Sequence, residues 1–328
     1  MKKLFPLVSL AMLLFSACTT LRSISYERLH AAEVCFPEEV HKVGIINHMP
    51  AFEENPASIA YSSGLLEGDG KVMTEAFAQA IASTNYFEQV VICDSALRSA
   101  DAPLDWDSSL SVGMVDSLIQ ALEVDILFVT ERVGIQLKES SLYVPEQMTD
   151  LPAMDGVITP VVRAYVTTRT TPLFEVSCTD TVCWEITPTL TYGKLIKDAS
   201  EYAATLPMKQ LIPHWEEIYR GYFDGGRVEM RDAGVYVREQ NWKEAAQIWQ
   251  KLYDNQKKGK VRMRAAYNLA VYHELQNEFE RALEYLDEAA RCVKAGSWEE
   301  VLFKVYRIQL TEGARQNRML KIQMKRFE

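Results

Sequence analysis

The sequence has little of several things that would each point to a function. Cysteine is scarce, six in 328 residues, too sparse for a disulfide-stapled scaffold. Histidine is scarcer still. None of His30, His41, His48, His214 and His273 is spaced with cysteines or carboxylates as a zinc site requires, so no metal and no cofactor is expected. Basic charge is outweighed: 35 Lys and Arg stand against 45 Asp and Glu, a formal charge of −10. That argues against a nucleic-acid partner, which needs a clustered basic surface to neutralise phosphates. After the first residues no apolar run approaches the roughly 20 residues of a membrane-spanning helix.

Catalytic signatures are missing as well. Neither a Gly-x-Ser-x-Gly elbow nor a Ser-x-x-Lys pair occurs in a credible context. Gly68-Asp69-Gly70-Lys71 fails as a phosphate loop, because Leu65 stands where the first Gly belongs and Val72 where Ser or Thr would hold magnesium. It reads instead as a Gly-rich turn in which Asp69 caps a helix. The expectation is a protein that is not an enzyme and has no catalytic residues.

What is present begins with an address. Met1-Lys2-Lys3 is a basic start, residues 4–15 are apolar, and Ser16-Ala17-Cys18 follows. The run is too short to span a bilayer and reads as a signal peptide over 1–17. Small residues before a cysteine resemble the bacterial lipobox, with Phe15 standing where Leu is usual. The resemblance implies cleavage before Cys18 and acylation of its thiol, so that the bilayer itself is a partner. Several acyl chains together anchor stably. Thr19 and Thr20 follow, with no Asp of the inner-membrane retention kind, which puts the protein on the periplasmic face of the outer membrane.

The mature chain divides by pattern. Over 18–205 strands and helices alternate: strand signals at 23–29, 42–47, 87–92 and 125–130, helical periodicity at 71–84 and 110–122, and Ser109 or Ser111 as an N-cap. Period-two alternation rich in Thr, Val and Tyr then covers 134–137, 156–168, 173–178 and 182–187. This predicts an α+β or α/β domain with a mixed sheet, two helices and an antiparallel extension. In the order of its elements the opening resembles the small α/β domain at the start of TolB and in curli-secretion lipoproteins. A turn at Asp180-Thr181 would set Cys178 opposite Cys183; a cross-strand disulfide and two small buried hydrophobes are both open readings. Residues 190–204 read as a further helix.

Over 206–328 no strand signal remains and a repeat appears. The segment from Asn241 to Leu252 is echoed from Glu278 to Ala289, with Ala245 matching Ala282 at a period of 37. This is close to the tetratricopeptide period of about 34 residues. Ala266 and Ala270 on one helix, with Ala282 and Ala289 on the next, are small enough for two antiparallel helices to approach closely. A third pair is expected to begin at Trp298, its second helix covering 316–327. The prediction is an all-α, tetratricopeptide-like domain.

Ala32-Glu33-Val34, Ile212-Pro213-His214-Trp215, Arg220-Gly221-Tyr222-Phe223 and Ala265-Ala266-Tyr267-Asn268-Leu269-Ala270, with the lipobox, carry a likeness over most of the mature chain. It resembles an uncharacterised family of Bacteroidetes lipoproteins with an N-terminal α/β domain and C-terminal tetratricopeptide-like repeats. Stacked helix pairs form a concave surface. The expected function is therefore a scaffold that binds an envelope protein or peptide in a groove lined by Arg231, Asn268 and Tyr272. The alternative is a glycan- or small-ligand-binding lipoprotein, suggested by six Trp and fifteen Tyr.

Overall fold

The computed structural model describes residues 21–52, 65–98, 109–146, 148–167 and 169–328. Cys18 and the signal peptide lie outside the described residues. The chain has a mixed α/β region followed by a helical one, in two compact units.

One unit comprises residues 32–213 with Lys325–Glu328. Its sheet runs β4-β2-β5-β6-β7, from β2 (Lys42–Asn47), β4 (Gln89–Cys93), β5 (Ile126–Val144), β6 (Thr149–Tyr165) and β7 (Phe174–Ser177); β3 (Leu65–Glu67) pairs with β5 and β8 (Asp180–Glu185) with β6. Strands β4, β2 and β5 are parallel, and the β5–β6 hairpin supplies the antiparallel extension. Helix α1 (Gly70–Ser83) is capped by Asp69, whose carboxylate accepts from the Lys71 and Val72 amides; Ser111 caps α2 (Val112–Leu122). Because β-strand side chains alternate, Val43, Ile45 and Phe128 meet α1 and α3 (Tyr192–Ala203) on one face. Ile46, Leu127 and Val129 meet α2 on the other.

Cys178 and Cys183 do not face each other. β7 pairs with residues 161–164 of β6 and β8 with residues 153–158, so the two strands run end to end along one neighbour instead of forming a hairpin together. Both thiols are free. Burial, then the Glu33 and Asp180 charges, raise the Cys178 thiol pKa.

The other unit comprises residues 21–31 and 214–324. Here α4 (Met208–Leu211) has ended and β9 (His214–Phe223) pairs antiparallel with β1 (Leu21–His30) over its whole length. This departs from the expected boundary at 205/206 in two ways. The first strand belongs with the helices, and a strand exists where none was expected. After β9 come α5 (Val228–Arg238), α6 (Trp242–Asp254), α7 (Lys260–Leu275), α8 (Phe279–Ala290) and α9 (Trp298–Gln323), each packed on the next.

The 37-residue period is physical. Gln240 and Asn277, 37 apart, both take the left-handed conformation (φ 62° and 58°) that turns one helix into the next. Ala233 and Ala270, Ala245 and Ala282, and Trp249 and Leu286 are matched pairs, all fully buried. The third pair does not form, because α9 runs unbroken for 26 residues. Gly313, just before the position expected to open a new helix, is instead a close-approach site: a Cβ there would stand 2.5 Å from the Phe279 ring. The last four residues dock in the α/β unit, where Arg326 donates to the Val40 carbonyl (2.8 Å) and lies 4.3 Å from the Tyr86 ring centroid.

Ala282 sits at the α7–α8 crossing with no exposed surface. Ala282→Leu should cost about 1–3 kcal/mol through overpacking. Limited proteolysis should then open 214–324 and release β1 while 32–213 survives. Equal loss of both units would show that they unfold as one.

Candidate functional site

The first helices of the repeat, α5 and α7, carry the three residues expected to line a groove. Arg231 on α5 is exposed. Asn268 on α7 is wholly buried: its amide accepts from the Phe223 N–H and donates to the Phe223 carbonyl, both at 2.7 Å. Tyr272 is half-buried against the helical core. Asn268 is therefore not free to line a peptide groove. Asn268 grips an extended backbone as a peptide-binding side chain would, but the strand it holds is this chain's own β9.

The ribbon is tied down by charge. One face of β1 and β9, with Ile24, Tyr26, Arg28, Ile218, Arg220 and Tyr222, is more buried than the other. Glu274 on α7 has no exposure. Its carboxylate accepts two hydrogen bonds from Arg220 (2.8 and 2.7 Å), one from Arg28 (2.9 Å) and one from the Tyr306 hydroxyl on α9 (2.8 Å). Two strands and two helices thus meet on one carboxylate. Burial pushes the Glu274 carboxyl up, but the Arg220 bonds and charge, the Tyr306 hydroxyl and Arg28 outweigh it and hold it below the usual carboxylate range. Burial and the adjacent Glu274 charge raise the Tyr306 phenol strongly. Every acceptor position is filled, so the cluster braces the fold and offers nothing to a substrate.

The ribbon's other face is open. Trp215 and Tyr219 are exposed there, four residues apart on β9. Of the remaining described tryptophans, Trp249 is buried, Trp184 and Trp242 are half-buried, and Trp298 is exposed.

A second cluster lies in the α/β unit where β2 ends and the parallel pairing of β5 with it stops, at Asn47 and Thr130. The sheet order places β4 and β5 on opposite sides of β2, so this is the point where the connections reverse direction and open α/β sheets bind ligands. Glu131 falls at the register shift between Thr130 and Arg132 and continues the face of Leu127 and Val129, toward α2. It is buried, and it holds His48 Nδ1 at 2.5 Å and the Tyr165 hydroxyl at 2.8 Å. Burial and then Glu131 raise the Tyr165 phenol. The pairing orients the His48 ring and occupies its Nδ1. The spacing of the histidines gave no reason to single out His48, whose partner Glu131 lies 83 positions along the chain. Among the described residues no group of three or more His, Cys, Asp or Glu could hold a metal ion.

The family described as Domain of unknown function (DUF8603) matches residues 40–223. The chain belongs to that family. The matched region ends at Phe223, the last residue of β9, so it reaches past the α/β unit into the ribbon. A second family, Domain of unknown function (DUF6340), matches residues 231–312, from α5 into α9. No curated protein matches the sequence. Among solved structures the chain is similar to a PelC dodecamer from Paraburkholderia phytofirmans (9% identity, 57% of this chain and 99% of that one, TM-score 0.25). It is also similar to the hypothetical protein CT253 from Chlamydia trachomatis (11%, 43% and 71%, 0.23) and the rare lipoprotein B from Shewanella oneidensis (10%, 66% and 96%, 0.15).

Glu274→Gln would leave two guanidinium groups without their carboxylate. Loss of one partner from a buried ion pair costs about 3–5 kcal/mol, readable by urea denaturation. A cost under about 1 kcal/mol would contradict the bracing role. The pH dependence has a fixed sign. The folded carboxyl titrates below its ordinary value of 4.5. Its stabilisation is therefore complete above that value and is lost as pH falls through the folded pKa. Wild-type stability should drop in that acid window, and Glu274→Gln should flatten the drop.

Proposed function

We propose that this DUF8603 chain is a lipid-anchored protein of the bacterial cell envelope that acts as a binding module. Acylated Cys18 is the anchor and a tetratricopeptide-like array is the body. The lipobox at Ser16-Ala17-Cys18 supports the anchor, and among the described residues no helix is long and apolar enough to cross a membrane. The observation that carries the binding mode is the hold of Asn268 on β9. With Asn268 and Glu274 committed to the ribbon, an envelope protein partner meets the ribbon's outer face, where Trp215 and Tyr219 stand exposed. Aromatic side chains of this kind dominate protein interfaces. The same pair favours a second reading, a glycan stacked on Trp215 and Tyr219.

Three measurements test this. Cys18→Ala should abolish incorporation of labelled fatty acid and leave the precursor uncleaved; normal labelling would sink the anchor. A photo-crosslinker at position 219 should capture one discrete envelope protein in cells, and one at position 268 should capture none. Capture from 268 alone would restore the inner groove as the binding surface. Quenching of Trp fluorescence by oligosaccharides, lost in Trp215→Ala, would move the assignment to a glycan.

A further inference from the structure

Helix α9 carries apolar side chains on the wrong side. Phe303, Tyr306, Leu310 and Ala314 face the helical core and are buried. At 100° per residue the opposite side holds Trp298, Val301, Val305 and Ile308, which are 51, 63, 49 and 71% exposed. That outward face of a surface helix would ordinarily be charged. The stripe covers ten residue steps, about 15 Å of helix. Within the stripe Lys304 pairs with Glu300 and Arg307 with Asp287; beyond it the helix is basic, with exposed Arg315, Arg318 and Lys321 against one carboxylate, Glu312.

The position of the tether says what covers this stripe. Cys18 lies three residues before Leu21, so its anchored atoms are within about 11 Å of the start of β1 whatever path residues 18–20 take. Leu21 pairs with Phe223, and the Phe223 ring lies 6.0 Å from the Trp298 ring, centroid to centroid. Adding about 5 Å across the strand pair and about 4 Å of Phe223 side chain, the stripe begins within roughly 26 Å of Cys18. A helix with one apolar face, a Trp at its end and a basic flank is the kind that lies in the interfacial plane of an anionic membrane.

We propose that the outward face of α9, from Trp298 to Ile308, docks on the lipid surface to which Cys18 is anchored. This rests on the lipid-anchor reading. The face makes a second, non-covalent contact with anionic headgroups and the acyl boundary and fixes the orientation of the helical unit on the membrane.

The test uses the mature chain without acyl groups, as Cys18→Ser, and vesicles of phosphatidylethanolamine and phosphatidylglycerol. The protein should sediment with these vesicles, and more weakly with phosphatidylcholine vesicles. The triple variant Val301→Ser, Val305→Ser, Ile308→Ser should bind at least tenfold less. Its circular dichroism should not change, since all three side chains are exposed. Equal binding by parent and triple variant, or no binding by the parent, overturns the docking. So does a stripe-dependent dimer in sedimentation equilibrium without vesicle binding, which would make the face a contact between two copies. The mass of the Cys18 peptide from native envelopes separates the two failures. Acyl chains on Cys18 with no vesicle binding leave the anchor and remove the docking; an unmodified Cys18 removes both.

Discussion

One buried carboxylate organises the helical unit. Glu274 takes hydrogen bonds from Arg220, Arg28 and Tyr306, and so gathers β9, β1, α7 and α9 around a single point. A carboxylate without exposure is costly unless its lone pairs are filled by charged donors. Here they are filled from segments as far apart as positions 28 and 306. The arrangement is self-selecting: α7 cannot bury Glu274 unless the ribbon is in place, and the ribbon cannot bury Arg220 unless α7 is there. Asn268 adds the backbone register, through both polar groups of Phe223.

This constraint changes what the repeat is for. Stacked helix pairs present an inner face that commonly accepts an extended segment from elsewhere. In this chain the segment is supplied internally, by strands of which the first begins at Leu21 and the second ends just before the array. The proposed tether at Cys18 would lead straight into the helical unit, and the α/β unit is inserted in the sequence between the two strands of the ribbon. The ribbon's outer face and the outward side of α9 are the surfaces on which the proposed contacts fall.

Much of the fold was legible in the sequence, and its failures have physical causes. The parallel strands β2 and β5 read correctly because buried sheet centres are apolar throughout, and the 37-residue period read correctly because a close helix crossing tolerates only alanine at 245 and 282. Strand β9 did not read, although its burial alternates from His214 to Tyr222. Its more buried face mixes Glu216 and Arg220 with Ile218 and Tyr222, so the hydrophobic period of two is broken by charge. The candidate sites were less legible for the same reason. Asn268 was picked out for the right chemistry, a side chain that binds an extended backbone, but the sequence could not say whose backbone. Glu131 and His48 meet through the pairing of β2 with β5, and a contact across 83 positions leaves no local trace in a strand of Val, Thr and Arg. The unbroken course of α9 through Gly313 did not read either, because nothing nearby in the chain shows Phe279 pressing on that glycine.

Amide hydrogen exchange on the mature protein measures directly whether the ribbon stays on α7. The paired amides of β1 and β9, Phe223 above all, should exchange as slowly as those in the middle of α7, because both open only when the unit unfolds. Ribbon amides that exchange about a hundredfold faster than α7, with α7 still protected, would mean that the strand leaves the groove on its own. The groove would then be a site held open for another ligand, contrary to this account.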